Sequence, residues 1–139
     1  MSNTINTSVS VGKLNFTFTD EDGNAFSSFR MNPADFSIAA RCSEVSEYFS
    51  KHEDISGESI EGMLLFNKEL EEKICYILGY DARDSIFGEV SAATVLPNGD
   101  LFAMVVLDTI AKAVKSESEK RAKKSDDAVK KYTAKYDGV

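Results

Sequence analysis

From Lys13 to Thr19 the chain alternates. Leu14, Phe16 and Phe18 are apolar, and Lys13, Asn15, Thr17 and Thr19 between and around them are polar. A period of two marks a strand with one buried face. Val9 and Val11 are spaced to extend it on the opposite face. Asp20-Glu21-Asp22-Gly23-Asn24 follows, a turn sequence in which Gly23 can take a positive φ. Ala25–Met31 resumes the extended pattern with Phe29 and Met31 on one face. Together these segments predict a β-hairpin. A hairpin alone is marginal in water, so its phenylalanine face must pack on helices or on another subunit.

Beyond Met31 the apolar period becomes that of a helix. Asn32-Pro33-Ala34-Asp35 predicts a helix start, with Asn32 as the cap, Pro33 at the first helical position and Asp35 complementing the dipole. Ile38, Cys42, Val45 and Phe49 then fall on one face of a helix that runs to about Ser50. Ser56-Gly57 breaks the chain. A second helix is expected from about Glu58 to Gly79, with a stripe of Ile60, Met63, Leu64, Leu70, Ile74, Ile77 and Leu78 interrupted by Asn67, and with Gly79 as the C-cap. Asp81–Gly88 predicts one or two helical turns capped by Asp81 and closed by Gly88. Glu89–Pro97 reads as a loop and Pro97-Asn98-Gly99-Asp100 as a turn.

The last helix should start near Asp100. Leu101, Phe102, Met104, Val105, Val106, Leu107, Ile110 and Val114 make its first turns apolar nearly all round, the signature of a central core helix. After Val114 the pattern turns polar through Lys124. Val129, Tyr132 and Tyr136 then return at i, i+3 and i+7, and no proline after Pro97 stops the helix. The expected fold is α+β and mainly α: an N-terminal β-hairpin packed on a three-helix bundle, with an extended C-terminal helical arm. Residues 1–114 form the single globular domain and residues 115–139 the charged arm.

At 139 residues, with 42% hydrophobic and 28% charged residues, the chain is of ordinary globular composition. A chain of this size buries roughly 65–70% of its unfolded surface, enough for a core without staples. Cys42 and Cys75 are too few for a disulfide framework, and their apolar settings suit reduced core residues. Met1–Ser10 lacks the basic start and apolar run of a secretory signal. The longest apolar run, Leu101–Leu107, is far short of the roughly 20 residues a membrane span needs. The chain is therefore expected to stay in the cytoplasm of the cell that makes it.

Charge changes the picture more than composition does. The net charge of -7 hides a split. Residues 1–111 carry 7 Lys and Arg against 18 Asp and Glu, whereas residues 112–136 carry 9 against 4. A basic arm on an acidic body can reach an acidic partner, or turn to its own body or a neighbour's.

Candidate chemistry is sparse. His52 is the sole histidine and sits at a polar helix end, where a cation is favourable. One histidine and two dispersed cysteines do not make a zinc site. Asp20–Asn24 has the glycine at the wrong position for a calcium loop, and Met31 stands where the twelfth-position glutamate would be. Glu71/Glu72 belong to a wet helix face, and Arg83 moderates Asp81/Asp84. Neither a phosphate-binding glycine loop nor a nucleophile elbow occurs. The sequence thus predicts no catalytic residue, no metal site and no cofactor. The arm can be read as a solvated helix, a protein-docking element or a nucleic-acid contact. The acidic body disfavours the last by repulsion from phosphates. The residues expected to meet a partner are Val129, Tyr132 and Tyr136, with Lys131 and Lys135 beside them; tyrosine buries a ring while keeping its hydroxyl wet.

Several segments in series resemble small tail-module proteins of phages of Gram-positive bacteria, close to tail assembly chaperones. They are Phe29-Arg30-Met31-Asn32-Pro33-Ala34-Asp35, then Ile77–Gly88 with its Asp84-Ser85-Ile86-Phe87-Gly88 end, then Asn98-Gly99-Asp100-Leu101-Phe102, and finally Lys131-Tyr132-Thr133-Ala134-Lys135-Tyr136. The resemblance implies a non-enzymatic role in the host bacterial cytoplasm. Such proteins coat the long helical tape-measure protein, keep it soluble and help tube proteins gather around it. The partners it implies are phage tail proteins, the tape-measure protein first and the tube protein second. Separately, the charge split and the aromatic hairpin suit a head-to-tail contact between copies of the chain, and neither a membrane nor nucleic acid is expected as a partner. Two other roles stay open: a minor structural component of the virion tail, and a small phage effector that binds a host protein.

Overall fold

A computed structural model describes residues 3–51 and 59–137. Two strands, β1 (Leu14–Thr19) and β2 (Ala25–Met31), are followed by four helices, α1 (Phe36–Lys51), α2 (Ile60–Leu78), α3 (Arg83–Phe87) and α4 (Phe102–Asp137). The α+β, mainly helical architecture expected from the periodicity is the one observed.

The hairpin is antiparallel, pairing Leu14 with Met31, Phe16 with Phe29 and Phe18 with Ser27, with a bulge between Phe18 and Thr19. Its turn is closed by Asp20, whose Oδ1 accepts the backbone N–H of Asp22 and of Asn24, both at 2.9 Å, while Gly23 sits at φ +81°. The Asp20 carboxylate is thus engaged in an Asx-type turn. Val9 and Val11 do not extend β1. Both are exposed, and residues 3–13 form no strand. The reason lies across the sheet: β2 ends at Met31, opposite Leu14, and the chain then turns away at Asn32-Pro33, leaving no backbone to pair with.

α1 begins at Phe36, capped by Asp35 rather than Asn32. Asn32-Pro33-Ala34-Asp35 is instead a separate turn. Asp35 N–H donates to the Asn32 carbonyl at 3.0 Å, Ala34 N–H to Asn32 Oδ1 at 3.0 Å, and Pro33 takes the second turn position that its fixed φ suits. Asp35 Oδ1 then accepts Ser37 N–H at 2.8 Å. Ile38, Cys42 and Val45 are buried and Phe49 half-buried, as the spacing predicts.

In α2, Ser59 Oγ accepts Gly62 N–H at 3.0 Å, and Gly79 closes the helix at φ +81° with its N–H on the Cys75 carbonyl at 2.8 Å. The expected start at Glu58, the Ser56-Gly57 break and His52 lie outside the described residues. The inward face is Phe66, Leu70, Ile74 and Ile77, with Leu78 beside it. The first half of the expected stripe is therefore corrected: Ile60 and Leu64 are 81% and 65% exposed. At about 100° per residue, Leu64 and Leu65 lie well over 100° from the centre of the buried face. Asn67, which seemed to interrupt the stripe, is a tether, its Oδ1 accepting Ala93 N–H at 2.8 Å.

α3 packs Ile86 and Phe87 into the core. Gly88 that ends it has an ordinary helical φ of -70°. A Cβ there would stand 2.4 Å from the Asp84 carbonyl oxygen, so glycine is required for close approach and not for a left-handed bend. The following loop caps α4 with its own backbone: the Phe102 and Ala103 N–H groups donate to the Thr94 and Ala92 carbonyls at 2.9 and 3.0 Å.

Phe102, 1% exposed, joins the layers. Its ring meets Phe18 and Phe26 of the hairpin at 5.8 and 5.5 Å and Phe87 of α3 at 5.7 Å. The phenylalanine face of the hairpin thus packs on this chain's own helices. Ala103, Val106, Leu107 and Ile110 continue the core against α1 and α2.

Candidate interaction site

α4 leaves the core as one unbroken helix. Ile110 is its last buried residue, Ala111, Ala113 and Val114 are half-buried, and residues 118–131 are exposed throughout. The burial fades just where the sequence turns from apolar to charged. Two further contacts brace the exit. Arg121 Nε donates to Glu117 Oε1 at 2.8 Å, holding that carboxyl below its usual range, and the Arg121 guanidinium lies against the backbone of Gly12, which is at φ +86°. The N-terminal segment therefore touches α4 one turn beyond the half-buried Glu117.

Of the residues expected to meet a partner, Val129 is 59% exposed and Lys131 is exposed. Tyr132, Lys135 and Tyr136 lie on the backbone of α4, but their side chains fall outside the described ones. Lys130 pairs with Asp126 at 3.4 Å across one turn. Among the described residues, Lys115, Lys120, Lys123, Lys124 and Lys131 enter no ion pair. The outer arm thus presents unpaired cations on faces other than that of the exposed Val129, whose described i−3 neighbour is Asp126.

The body offers a different surface. Polar groups lace α1 to α2 along their outer seam: Arg41 Nε donates to the Ile77 carbonyl at 3.1 Å, Tyr76 Oη to Glu44 at 2.8 Å, and Tyr48 Oη to Glu69. Lys73 Nζ lies 4.2 Å from the Tyr48 ring centre. Donation to carboxylates raises the pKa of both tyrosines. Tyr80 docks on β2, accepting the Arg30 N–H at 2.9 Å with the Arg30 guanidinium over its ring. Arg83 grips Asp81 with two side-chain bonds of 2.9 Å, which lowers that carboxyl to about 2. Asp81 also accepts Arg83 N–H at 3.2 Å, though α3 is formally capped at Ala82. Burial raises the pKa of the Cys42 and Cys75 thiols. These arrangements hold elements together, and Tyr76, Tyr80, Asp81 and Arg83 also line an open pocket of about 430 Å³ with Glu72 and Cys75. Among the described residues no group of three or more His, Cys, Asp or Glu could hold a metal ion, and no helix is long and apolar enough to cross a membrane.

One feature of the body escaped the periodic reading. The first half of α2 and the 91–94 loop form an open groove of about 420 Å³ lined by Ile60, Met63, Leu64, Asn67, Ala93 and Thr94 with Ser59 and Ser91. The usable signal was the register of Phe66, Leu70, Ile74 and Ile77, which leaves Leu64 off the core side; Ile60 shares the angle of buried Leu78 and is exposed at the first residue of the helix. No family model, curated protein or solved structure matches this chain.

Proposed function

We propose that this chain is a non-enzymatic binding protein of the tail assembly chaperone kind, which holds the tape-measure protein of a phage tail while tube subunits gather around it. One observation carries the reading: α4 is rooted in the core and then runs on for about four turns, residues 118–131, with its described side chains exposed. A free helix of that length is marginal by itself. Rooted in a folded body, its nucleation is already complete, so less order remains to be imposed when a partner binds. A long helical partner suits such an arm, because two helices can pack side by side along an apolar seam with their charged flanks wet. The resemblance of the hairpin exit, the α3 end and the arm end to tail-module proteins supports the same partner.

The test is co-expression with a tape-measure protein followed by pull-down, using the full chain and a form lacking residues 122–139. The full chain captures and solubilises the tape measure. The shortened form does not, although it melts within a few degrees of the full chain. Equal capture by both forms overturns the reading, and stoichiometric recovery of the chain from purified virions replaces it with a structural tail role.

A further inference from the structure

The hairpin has a second face. Phe16, Phe29 and Met31 turn inward, so Asn15, Thr17, Ser28 and Arg30 share the opposite side of the sheet. The register sets Asn15 opposite Arg30 and Thr17 opposite Ser28. With Tyr80 and Ser85 these four line a hollow of about 320 Å³. We infer that this hollow is a binding site for a small oxyanion, a phosphate or carboxylate group, with the Arg30 guanidinium as its anchor.

Arg30 is held in place without its charge being used. Its guanidinium carbon lies 4.2 Å from the Tyr80 ring centre, and its backbone N–H donates to Tyr80 Oη at 2.9 Å. Among the described residues the guanidinium enters no ion pair and donates no hydrogen bond. Its N–H donors form a planar fork that matches the oxygens of a phosphate or carboxylate. Bracing on the ring reduces the order that a free arginine would have to gain on binding. Other donors converge beside it. Tyr80 Oη accepts the Arg30 N–H and keeps its own proton free, and the Thr17 and Ser28 hydroxyls and the Asn15 amide have no partner among the described residues. Ser85 Oγ differs, since it donates to the Ala82 carbonyl at 3.2 Å.

The charge around this arginine is unusual for the chain. Residues 1–111 carry 18 Asp and Glu against 7 Lys and Arg, yet no carboxylate lines the hollow. The pocket that shares Tyr80 with it shows the contrast. There Glu72 and Asp81 are present, and Arg83 is spent on Asp81 in two bonds of 2.9 Å. Arg83 has its anion within the chain, and Arg30 takes its own from outside. The hollow is near the lower end of small-molecule sites, roughly 300–1,000 Å³, which suits an anionic group on a small ligand. The inference uses the hairpin, Tyr80 and Ser85 alone and does not depend on what the arm binds.

The test is an NMR titration of the full chain with sodium phosphate and, separately, with sodium acetate, against sodium chloride at matched ionic strength. The Arg30 Nε–H and the amides of Ser28, Arg30 and Tyr80 shift and saturate with phosphate or acetate and not with chloride. The tighter of the two anions identifies the group that the site takes. Arg30→Gln leaves the backbone bond to Tyr80 intact and weakens binding about tenfold or more. Arg30→Lys, which keeps the charge and loses the fork, falls between the two. Thr17→Val with Ser28→Ala removes two hydroxyls and no charge, and weakens binding several-fold. The spectrum of each variant away from the hollow checks that the fold is kept. Three results overturn the inference: no saturating shift at Arg30 with either anion, the same shifts with chloride, or unchanged binding in Arg30→Gln. Shifts confined to the lysines of the arm would also overturn it, as plain charge attraction elsewhere.

Discussion

The two ends of α4 share one backbone and little else. From Phe102 to Ile110 the helix is held by burial: Phe102, Ala103, Val106, Leu107 and Ile110 are enclosed, and its first N–H groups are taken by the Ala92 and Thr94 carbonyls. Beyond Glu117 no side chain described is buried, and the support consists of the Arg121 contact with Gly12 and of one-turn ion pairs such as Arg121–Glu117 and Lys130–Asp126. Pairs of this kind stabilise a helix by only about 0.3–0.5 kcal/mol each. The contrast teaches that helicity and packing are separable within one element. The first half is helical because the core demands it, the second because it continues an established helix. Only the second is free to serve a partner.

The comparison is broken most severely at its root. Phe102→Ala removes the ring that joins the hairpin, α3 and α4, and is expected to lower stability by about 3–5 kcal/mol in denaturant unfolding. Val129→Ala in the arm should stay within about 0.5 kcal/mol of the parent. If the two losses are similar, the arm packs on the body and the comparison fails.

A smaller effect is expected at Gly79. Its φ of +81° is costly for any residue with a Cβ, and a methyl there would also lie 3.3 Å from the Arg41 guanidinium. Gly79→Ala should reduce stability by about 1–2 kcal/mol, read from the same denaturant midpoint. Binding through the arm should be unchanged, since Gly79 belongs to the body.

The smallest effect is a pH dependence confined to the body. The Tyr48 and Tyr76 hydroxyls donate to Glu69 and Glu44, and both pKa values are raised above 10.0. A raised value in the folded state means the contribution is complete below the unfolded tyrosine value and fades as pH rises through the folded one. Stability should therefore fall more steeply as pH rises above roughly 10 in the parent than in a Tyr48→Phe, Tyr76→Phe double variant. Equal slopes would show that the α1–α2 seam does not depend on these bonds.

Much of this was legible in the chain because the informative positions are periodic. The alternation of Leu14, Phe16 and Phe18, the face of Ile38, Cys42 and Val45, and the apolar run into α4 each translate directly into an element and its buried side. The misreadings have local causes. Asn32 and Asp35 both suit a cap, and the choice was decided by Pro33 forming a turn before the helix. Leu64 matches a helical period but sits about 120° from Leu70, and a period alone does not say which of two apolar angles the core will take; Ile60 has the angle of buried Leu78 but stands at the helix end, beyond the core. Asn67 was read as a flaw because its partner, the Ala93 N–H, lies 26 residues away.

The account rests on α4 being a core helix and a free arm in one rod. Hydrogen exchange along α4, read by mass spectrometry in dilute solution of the chain alone, tests this directly. Amides of Val106–Ile110 should exchange only with global unfolding, and those beyond Arg121 should exchange faster by several orders of magnitude, gaining protection when partner or further copies are added. Uniform protection from Phe102 to Asp137 in the monomer would contradict the account.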